Sequence, residues 1–422
     1  MKLNEMKSAI SGGAFNSIFE KLYGSAEACT ARYIAACDSY MDIFGDAEVE
    51  LFSAPGRTEV GGNHTDHQLG CVLAGSVDLD VIAVAAKTDD GIIKIKSEGF
   101  PMDTIDTAVL VPQSVEQEKA ASLIRGVCAG LSRLGYKVGG FTAYTTSNVF
   151  KGSGLSSSAA FEVLVGNIIS HLYNDGKVDA VTIAKVSQLA ENEFFGKPSG
   201  LMDQMASSVG GFTAIDFGDK QNPVIEKVDF DIAAHNHCLC IVNTGGNHAD
   251  LTNEYAAVPE EMRLVARFFG KDALRQVDPD DFYERLSELR VSFGDRAVLR
   301  AIHFFDDNQR AVDEKLALQA GNFDTFLKLV RESGRSSFMY LQNVYACCAP
   351  QEQGLSLALA LTDHILGERG AYRVHGGGFG GTIQAFVPTD MLDEYKTSIE
   401  RIFGAGNCHV LNIRPFGGIK IS

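Results

Sequence analysis

One stretch of the chain reads Lys151-Gly152-Ser153-Gly154-Leu155-Ser156-Ser157-Ser158-Ala159 and leads straight into a helical pattern. From Ser156 to Tyr173, apolar side chains recur at the spacing of a single helix face. The glycines leave backbone N–H groups unobstructed and the serines are good N-caps, so a helix that starts here favours an incoming anion. Because G-x-x-x-x-G-K-[ST] is absent, this is not a Walker A loop. We predict a phosphate-binding turn; a merely capped helix is the alternative.

A second glycine-rich stretch lies earlier and reads Ala54-Pro55-Gly56-Arg57-Thr58-Glu59-Val60-Gly61-Gly62-Asn63-His64-Thr65-Asp66-His67. It predicts a polar loop between two strands, on a backbone that glycines allow to turn sharply. Closely spaced Arg, Asn, His and Asp side chains are what a polyhydroxylated ligand requires, since each buried ligand hydroxyl needs a donor and an acceptor. A polar hairpin loop without a ligand is the alternative.

A third stretch reads Arg373-Val374-His375-Gly376-Gly377-Gly378-Phe379-Gly380-Gly381. Its glycines satisfy the dinucleotide pattern G-x-G-x-x-G, but a predicted strand, Thr382–Val387, follows where that fold needs a helix. We therefore reject a dehydrogenase. We expect these glycines to let the backbone approach a ligand or another loop closely.

Two carboxylates lie in the chain between the stretch at residues 151–159 and the one at residues 373–381. Glu191 is near the end of a predicted helix, Val181–Phe195, and Asp203 follows the run Gly200-Leu201-Met202. The apolar neighbours of Asp203 predict a buried helix start, where a carboxylate needs a partner. Most lone acidic residues are solvated surface charges, but a buried one is a candidate functional group.

The overall composition limits the class of protein. A chain of 422 residues is expected to form two domains, and a net charge of −17 argues against nucleic acid as a partner. The nine cysteines are an odd number without a C-x-x-C pair, and Met1–Ser25 has no apolar signal region. No run reaches the roughly 20 apolar residues of a membrane span. We predict a cytoplasmic protein with reduced thiols and no membrane partner.

The secondary-structure patterns mix without strict alternation, which indicates the α+β class. Strands are predicted at Leu79–Ala86, Ile92–Lys96, Phe141–Thr146, Phe212–Asp216, Cys238–Asn243, Thr382–Val387 and His409–Ile413. Further helices are predicted at Met262–Phe269, Phe282–Leu289, Arg296–Phe305, Val312–Ala320 and Phe323–Ser333. The Gly, Asp and Asn content near residue 220 places a domain boundary between residues 218 and 219, which gives domains 1–218 and 219–422.

In this order and spacing, the three glycine-rich stretches resemble the three motifs of the GHMP kinase superfamily and, within it, of the galactokinases. The run from Pro55 to Asp66 is similar to the galactokinase motif, Gly152–Ala159 to the nucleotide loop, and Gly377–Gly381 to the C-terminal glycine motif. The resemblance covers most of the chain. It implies a two-domain α+β fold, with a ribosomal protein S5 domain 2-like N-terminal domain followed by a C-terminal α+β domain.

The resemblance also implies an activity, namely phosphorylation of galactose at its anomeric hydroxyl with ATP and Mg²⁺. It assigns the catalytic aspartate to Asp203, the charge-stabilising arginine to Arg57, and the Mg²⁺ ligands to Ser158 and Glu191. The positions implied to contact the sugar are Asn63, His64, Thr65, Asp66, Gly200 and Tyr255. The positions implied to contact the nucleotide are Ser97, Gly152, Ser153, Gly154, Leu155, Ser156, Ser157 and Ser158.

Four residues depart from the galactokinase pattern. Asn63 stands where Glu is usual and Glu59 where Asn is common, while His67 and His375 replace a Tyr and a Thr. An amide donates as well as accepts hydrogen bonds, so Asn63 bears on the identity of the sugar.

Two alternatives to a galactokinase are therefore open. The first is a kinase for N-acetylgalactosamine or another related sugar. The second is a non-catalytic sugar-sensing regulator, which the intact Ser158 and Asp203 argue against. The sequence leaves open whether the protein is a monomer or a homodimer.

Overall fold

The structure is a computed structural model that describes residues 1–150, 154–197, 199–219, 221–245 and 251–422. Within these ranges the chain forms a large and a small sheet, both covered by helices, in agreement with the predicted α+β class. A search of the same ranges finds no helix with the length and apolar character needed to cross a membrane.

The described strands fall into two sheets. The larger sheet has the order β12-β1-β2-β5-β3-β4, with β6 and β7 attached through β2, and the smaller has the order β11-β8-β10-β9. The strands are β1 (Glu50–Gly61), β2 (Cys71–Lys87), β3 (Ile92–Ser97), β4 (Met102–Asp106), β5 (Phe141–Ser147), β6 (Phe212–Asp216), β7 (Val224–Val228), β8 (His237–Asn243), β9 (Ala371–Val374), β10 (Thr382–Pro388), β11 (Cys408–Leu411) and β12 (Ile419–Lys420).

Helices surround both sheets and join them. They are α1 (Leu3–Ser11), α2 (Asn16–Tyr23), α3 (Ala26–Phe44), α4 (Ala120–Arg133), α5 (Ser157–Asn174), α6 (Ala180–Leu189), α7 (Met202–Val209), α8 (Thr252–Phe268), α9 (Pro279–Glu284), α10 (Leu286–Gln319), α11 (Phe323–Ser336), α12 (Gly354–Leu366) and α13 (Leu392–Phe403). The central helix α5 buries apolar residues around most of its circumference, because it lies between the large sheet and neighbouring helices.

The stretch around Arg57 is a strand, and the prediction of a loop there is wrong. Ala54 to Gly61 belong to β1, which pairs with β2 and carries two bulges, the first beside Pro55. A bulge accommodates a proline within a sheet and re-aims the side chains that follow it. The polar turn begins only at Gly62 and ends where β2 starts. Arg57 is therefore fixed on the large sheet.

The other predicted elements are largely confirmed, with two changes in the helices. Each predicted strand overlaps an observed one, and β6 has the predicted bounds. The predicted helix Val181–Phe195 is α6 followed by a π-helix, Ala190–Phe195, a wider turn that is common at functional sites. The helices predicted at Arg296–Phe305 and Val312–Ala320 belong to one continuous helix, the part of α10 that follows a break at Gly294, where φ is 83° and ψ is 169°. The N-terminal helices α1 to α3 were not predicted.

The division between residues 218 and 219 stays a prediction, and the strand pairing qualifies it. Strands β7 and β12 both follow residue 218, yet they pair with β6 and β1 in the large sheet. The chain therefore returns to its first sheet at its C-terminal end.

The buried carboxylate of Asp80 holds this returning segment. Arg414 lies 3.1 Å from Asp80 Oδ2 through its Nη1, and both side chains are fully buried. Arg32 and Tyr23 also donate to the same carboxylate. Burial opposes ionisation of Asp80, but the two neighbouring guanidinium groups outweigh it and hold its pKa below the ordinary value.

We expect Arg414→Leu to lower the free energy of unfolding by about 3 kcal/mol, because a buried carboxylate loses a partner. The matched control is Arg369→Leu, which breaks an exposed pair with Asp390 and should cost less than about 1 kcal/mol. Urea unfolding measures both.

The Arg414 effect should depend on pH in a defined direction. Because the folded-state pKa of Asp80 is lowered, the stabilisation is present above the unfolded pKa of about 3.9 and is lost as the pH falls through the folded value. A loss that persists unchanged at still lower pH would contradict the role of this ion pair.

Candidate active site

An ion pair between β1 and α7 lies at the centre of the candidate site. Arg57 Nε donates to Asp203 Oδ1 at 2.7 Å, and Arg57 Nη2 lies 2.6 Å from the same oxygen. Ser156 Oγ donates to the other oxygen, Asp203 Oδ2, at 2.7 Å. The Asp203 side chain is 27% exposed and that of Arg57 only 9%. The carboxylate is thus held at both oxygens and still reaches solvent.

The phosphate-binding turn predicted from the sequence packs against this pair. The backbone N–H of Arg57 donates to Leu155 O at 2.9 Å, and its guanidinium donates to Gly154 O. A Cβ on Gly56 would lie 2.9 Å from Leu155 O, so strand and turn approach this closely only because residue 56 is glycine. The side chain of Leu155 is in the core, which leaves only its backbone to face a nucleotide.

The start of α5 fits an anion. Ser156, the residue before α5, has a left-handed backbone and makes no side-chain cap, because its hydroxyl donates to Asp203. The first-turn N–H groups, from Ser157 onward, are thus not taken up by the cap residue and carry the positive end of the helix dipole. The predicted contacts Gly152 and Ser153 lie outside the described residues.

Ser97, the remaining predicted nucleotide contact, is at the end of β3. Its hydroxyl accepts a hydrogen bond from Thr145 Oγ1 at 2.9 Å, on the neighbouring strand β5. That strand leads into the phosphate-binding turn. The structure therefore places Ser97 beside the strand that precedes the turn, but with no described contact to the other site residues.

The two residues predicted to bind a metal contact each other. Ser158 Oγ donates to Glu191 Oε1 at 2.9 Å, and Lys197 Nζ lies 3.2 Å from the same oxygen. Glu191 is almost fully buried, whereas the Lys197 side chain is 58% exposed. The carboxylate thus attracts a cation that is free to move away into solvent.

This pair fits Mg²⁺ as a partial ligand set. Carboxylate and hydroxyl oxygens are the donors that Mg²⁺ prefers, and it commonly takes the rest of its coordination from phosphates and water. The described part of the chain has no group of three or more His, Cys, Asp or Glu side chains that could hold a metal alone. A protein site that shares the cation with a phosphate ligand agrees with both facts.

The polar turn after β1 carries His64 and Asp66, and the Asp66 carboxylate is close enough to Asp203 for their charges to interact. A Cβ on Gly200 would lie 2.6 Å from Asp66 Oδ2, so the segment just before α7 approaches this carboxylate closely. Burial, and to a smaller extent the charge of Asp203, raises the pKa of Asp66. Asp66, Gly200 and Asp203 therefore lie together, as their predicted roles require.

The imidazole of His64 has a defined tautomer. Its Nε2–H donates to Gly377 O at 3.0 Å, so its Nδ1 accepts from His67 Nε2–H at 3.2 Å. Burial lowers the pKa of His64 to about 4, and the ring is neutral at physiological pH.

Asn63 and Thr65, also predicted to contact the sugar, point into the protein. The Asn63 side chain is fully buried; its Nδ2 donates to Glu59 and to Gly376 O, and its Oδ1 accepts from Ser337 and Asn343. Thr65 Oγ1 lies 2.8 Å from Gly62 O and 2.7 Å from Cys71 O, so its hydroxyl joins the two ends of the turn. In this arrangement both residues brace the turn, and neither presents a free group to a ligand.

The departures from the galactokinase pattern at residues 59 and 63 are in direct contact. Asn63 Nδ2 donates to Glu59 Oε1 at 2.8 Å, and the same oxygen is 2.7 Å from Arg373 Nη2. Burial raises the pKa of Glu59 to about 7, although Arg373 favours the ionised form. Residue 59 carries the carboxylate that is usual at residue 63, and residue 63 carries the amide that is common at residue 59. The carboxylate–amide hydrogen bond is therefore present, but with the two groups exchanged between the positions.

The third glycine-rich stretch lines the polar turn with its carbonyl groups. Gly376 O accepts from Asn63, Gly377 O from His64, and Gly378 O from Tyr255 Oη at 2.7 Å. The expectation that these glycines let the backbone approach another loop is thus met. Asn343, which sequence reasoning missed, donates to both Asn63 Oδ1 and Gly377 O. No local signal in the sequence marks it.

We expect Gly378→Ala to lower the free energy of unfolding by about 3 kcal/mol, and Gly376→Ala by only about 1 kcal/mol. Both glycines have a positive φ, but an added Cβ would lie 2.0 Å from Asn343 O at residue 378 and meets nothing within 4 Å at residue 376. Urea unfolding compares the two variants. Equal losses would show that the close approach to Asn343 is unimportant.

Two family descriptions match parts of this chain. "GHMP kinases N terminal domain" matches residues 122–211, which include α5 and Asp203, and "Galactokinase galactose-binding signature" matches residues 38–87, which include β1 and the polar turn. A galactokinase from Glaesserella parasuis is 30% identical over 358 residues, which cover 84% of this chain and 90% of that protein.

Solved structures show the same fold. A Lactococcus lactis galactokinase, crystallised with galactose, superposes with a TM-score of 0.77 at 24% identity, covering 92% of this chain and all of that one. A mevalonate kinase from Methanococcus jannaschii superposes with a TM-score of 0.58 at 15% identity, covering 86% of this chain and 98% of the other. The GHMP kinase fold is therefore shared well beyond recognisable sequence similarity. Together with the sequence matches over β1, α5 and most of the chain, this means that the protein belongs to the galactokinase family of the GHMP kinases.

Proposed function

We propose that this enzyme transfers the γ-phosphoryl group of ATP to the anomeric hydroxyl of galactose, giving galactose 1-phosphate and ADP. The observation that carries the proposal is the position of the Arg57–Asp203 pair. It lies between the start of α5, which suits phosphates, and the turn that holds Asp66 and His64, which suits a sugar. Phosphoryl transfer needs just this alignment of acceptor and donor.

In this proposal Asp203 takes the proton of the anomeric hydroxyl. The O–H bond breaks as the oxygen forms its bond to the γ-phosphorus, and the bond from that phosphorus to the bridging oxygen breaks as ADP leaves. Asp203 is partly exposed and fixed by Ser156 and Arg57, so its carboxylate has a lone pair to offer. Arg57 stabilises the negative charge that spreads over the transferring group.

The metal in this proposal is Mg²⁺, held by Ser158 and Glu191. When bound, Mg²⁺ neutralises phosphate charge. Glu191 would exchange its contact with Lys197 for the metal cation, so that its buried carboxylate keeps a positively charged partner.

Galactose is favoured over the alternative sugars for a structural reason. The case for an amino sugar rested on the Asn63 amide facing the ligand, but that amide is buried and fully hydrogen-bonded to protein. The sugar contacts we propose are therefore His64, Asp66, Gly200 and Tyr255, with Asn63 and Thr65 supporting the turn. We further propose that the enzyme acts in the cytoplasm, in keeping with nine unpaired cysteines.

The proposal is tested by coupled ADP release with galactose, N-acetylgalactosamine and glucose. We expect kcat/KM for galactose to exceed that for each other sugar by at least tenfold. A preference for N-acetylgalactosamine would overturn the choice of sugar. Sugar binding without ADP release would instead support a sensor.

The role of Asp203 is tested by Asp203→Asn, which we expect to lower kcat by 10²- to 10⁴-fold, about the range for loss of a general base. The KM for ATP should change less than threefold, because an amide oxygen at residue 203 still accepts the hydrogen bond from Ser156 in the nucleotide turn. The matched control, Asp219→Asn, alters an exposed aspartate that caps its own turn and should leave kcat unchanged. A kcat near that of the wild type in Asp203→Asn would remove Asp203 from the reaction.

A further inference from the structure

A buried carboxylate and a buried carboxamide lie behind the proposed metal ligand. Glu162, on α5, and Gln204, on α7, are both fully buried. Gln204 Nε2 donates to Glu191 Oε2 at 2.9 Å and to Glu162 Oε2 at 3.2 Å. Neither residue faces the sugar turn or the phosphate-binding turn, and the proposed reaction gives them no part.

The hydrogen bonds of Glu191 divide between its two oxygens. Oε1 faces Ser158 and Lys197, the side on which a cation would bind, and Oε2 faces Gln204. A carboxylate that is held at one oxygen by a fixed donor has little freedom to rotate, which leaves the other oxygen aimed at the metal.

The remaining atoms of the pair are unsatisfied in this arrangement. Glu162 Oε1 and Gln204 Oε1 are both buried without a hydrogen-bond partner, and a buried acceptor in that state is costly. When Glu162 is protonated, its carboxyl O–H is a hydrogen-bond donor, which these two unpaired oxygens otherwise lack.

The pair also connects the metal corner with the catalytic aspartate. Gln204 follows Asp203 directly in the first turn of α7, and Glu162 lies one helical turn after Ser158 on the same face of α5. The π-helix brings Glu191 between them. The Gln204 carboxamide is therefore hydrogen-bonded to both α5 and Glu191, and it links them to α7, which carries Asp203.

We propose that Glu162 and Gln204 are positioning residues, in which Glu162 holds the Gln204 carboxamide so that it orients Glu191 for the metal. This inference rests on the proposed function, because it takes Glu191 as the metal ligand. Glu162 acts as a neutral hydrogen-bonding group and does not bind the metal itself.

The test uses Gln204→Leu, Gln204→Asn and Glu162→Gln in the full-length enzyme. Two quantities are measured: the Mg²⁺ concentration for half-maximal turnover, and Mn²⁺ binding with a non-hydrolysable ATP analogue, followed by electron paramagnetic resonance. We expect Gln204→Leu to weaken both at least tenfold while the KM for galactose changes less than threefold. Glu162→Gln keeps a neutral hydrogen-bonding group and should stay within threefold of the wild type.

Gln204→Asn covers the case in which Gln204→Leu does not fold, because it keeps a polar side chain at the buried position. Its side chain is one methylene too short to reach Glu191. It should therefore weaken metal binding as Gln204→Leu does. The matched control is Asn167→Leu, which removes another buried amide from α5, one whose Nδ2 donates to Val163 O in the same helix. It should lower stability without changing either metal constant.

Three results would overturn the inference. Wild-type metal constants in Gln204→Leu or Gln204→Asn would make the carboxamide merely structural. A loss of tenfold or more in Glu162→Gln would make Glu162 an ionised ligand. A matching change of metal affinity in Asn167→Leu would trace the effect to general destabilisation. Failure of the proposed function is distinct, because the wild-type enzyme itself would then show no turnover of any sugar.

Discussion

The guanidinium of Arg57 is the interaction on which the candidate site depends. The guanidinium joins the large sheet to Asp203 on α7. The side chain and the backbone N–H of Arg57 both contact the turn before α5. A cation with so little exposure must be compensated by several acceptors, and these acceptors come from two elements, α7 with Asp203 and the turn before α5. One rigid group therefore fixes the position of the catalytic candidate Asp203 relative to the turn that would hold phosphate. The bulge beside Pro55 and the missing side chain at Gly56 are what bring this group into place.

The buried ion pair between Glu59 and Arg373 explains why the turn after β1 tolerates an unusual sequence. Glu59 and Asn63 exchange the groups usual at their positions, yet the hydrogen bond between them is kept and Arg373 compensates the carboxylate. A single change at either position would leave a buried acceptor or donor alone, which costs about 1–3 kcal/mol. The two departures are therefore one structural event. They concern the support of the turn, so they say less about the sugar than the sequence alone indicates.

The sequence predicted the fold class, most strands and the residues that meet at the site, because glycine spacing and helix periodicity are local signals. It did not predict that β1 runs through Arg57, since a proline and two glycines argue for a loop and only the pairing with β2 overrides them. It could not show that Asn63 faces inward, because its partners Ser337 and Asn343 are distant in the chain. For the same reason the sequence did not indicate a role for Glu162, the only acidic residue in α5. Its partner Gln204 lies on α7 and is distant from it in the chain.

The contacts between the polar turn and the third glycine-rich stretch bear on how a sugar would enter. His64 Nε2–H and Tyr255 Oη donate to the carbonyls of Gly377 and Gly378. A ligand that separates these pairs must accept from each side chain and also donate to each carbonyl, or buried groups are left unpaired. A hydroxyl does both with one oxygen, whereas an ether oxygen accepts only and an ammonium group donates only. These hydrogen bonds to Gly377 O and Gly378 O therefore favour a polyhydroxylated ligand. The acceptors are backbone carbonyls, which no side-chain substitution in the glycine stretch removes.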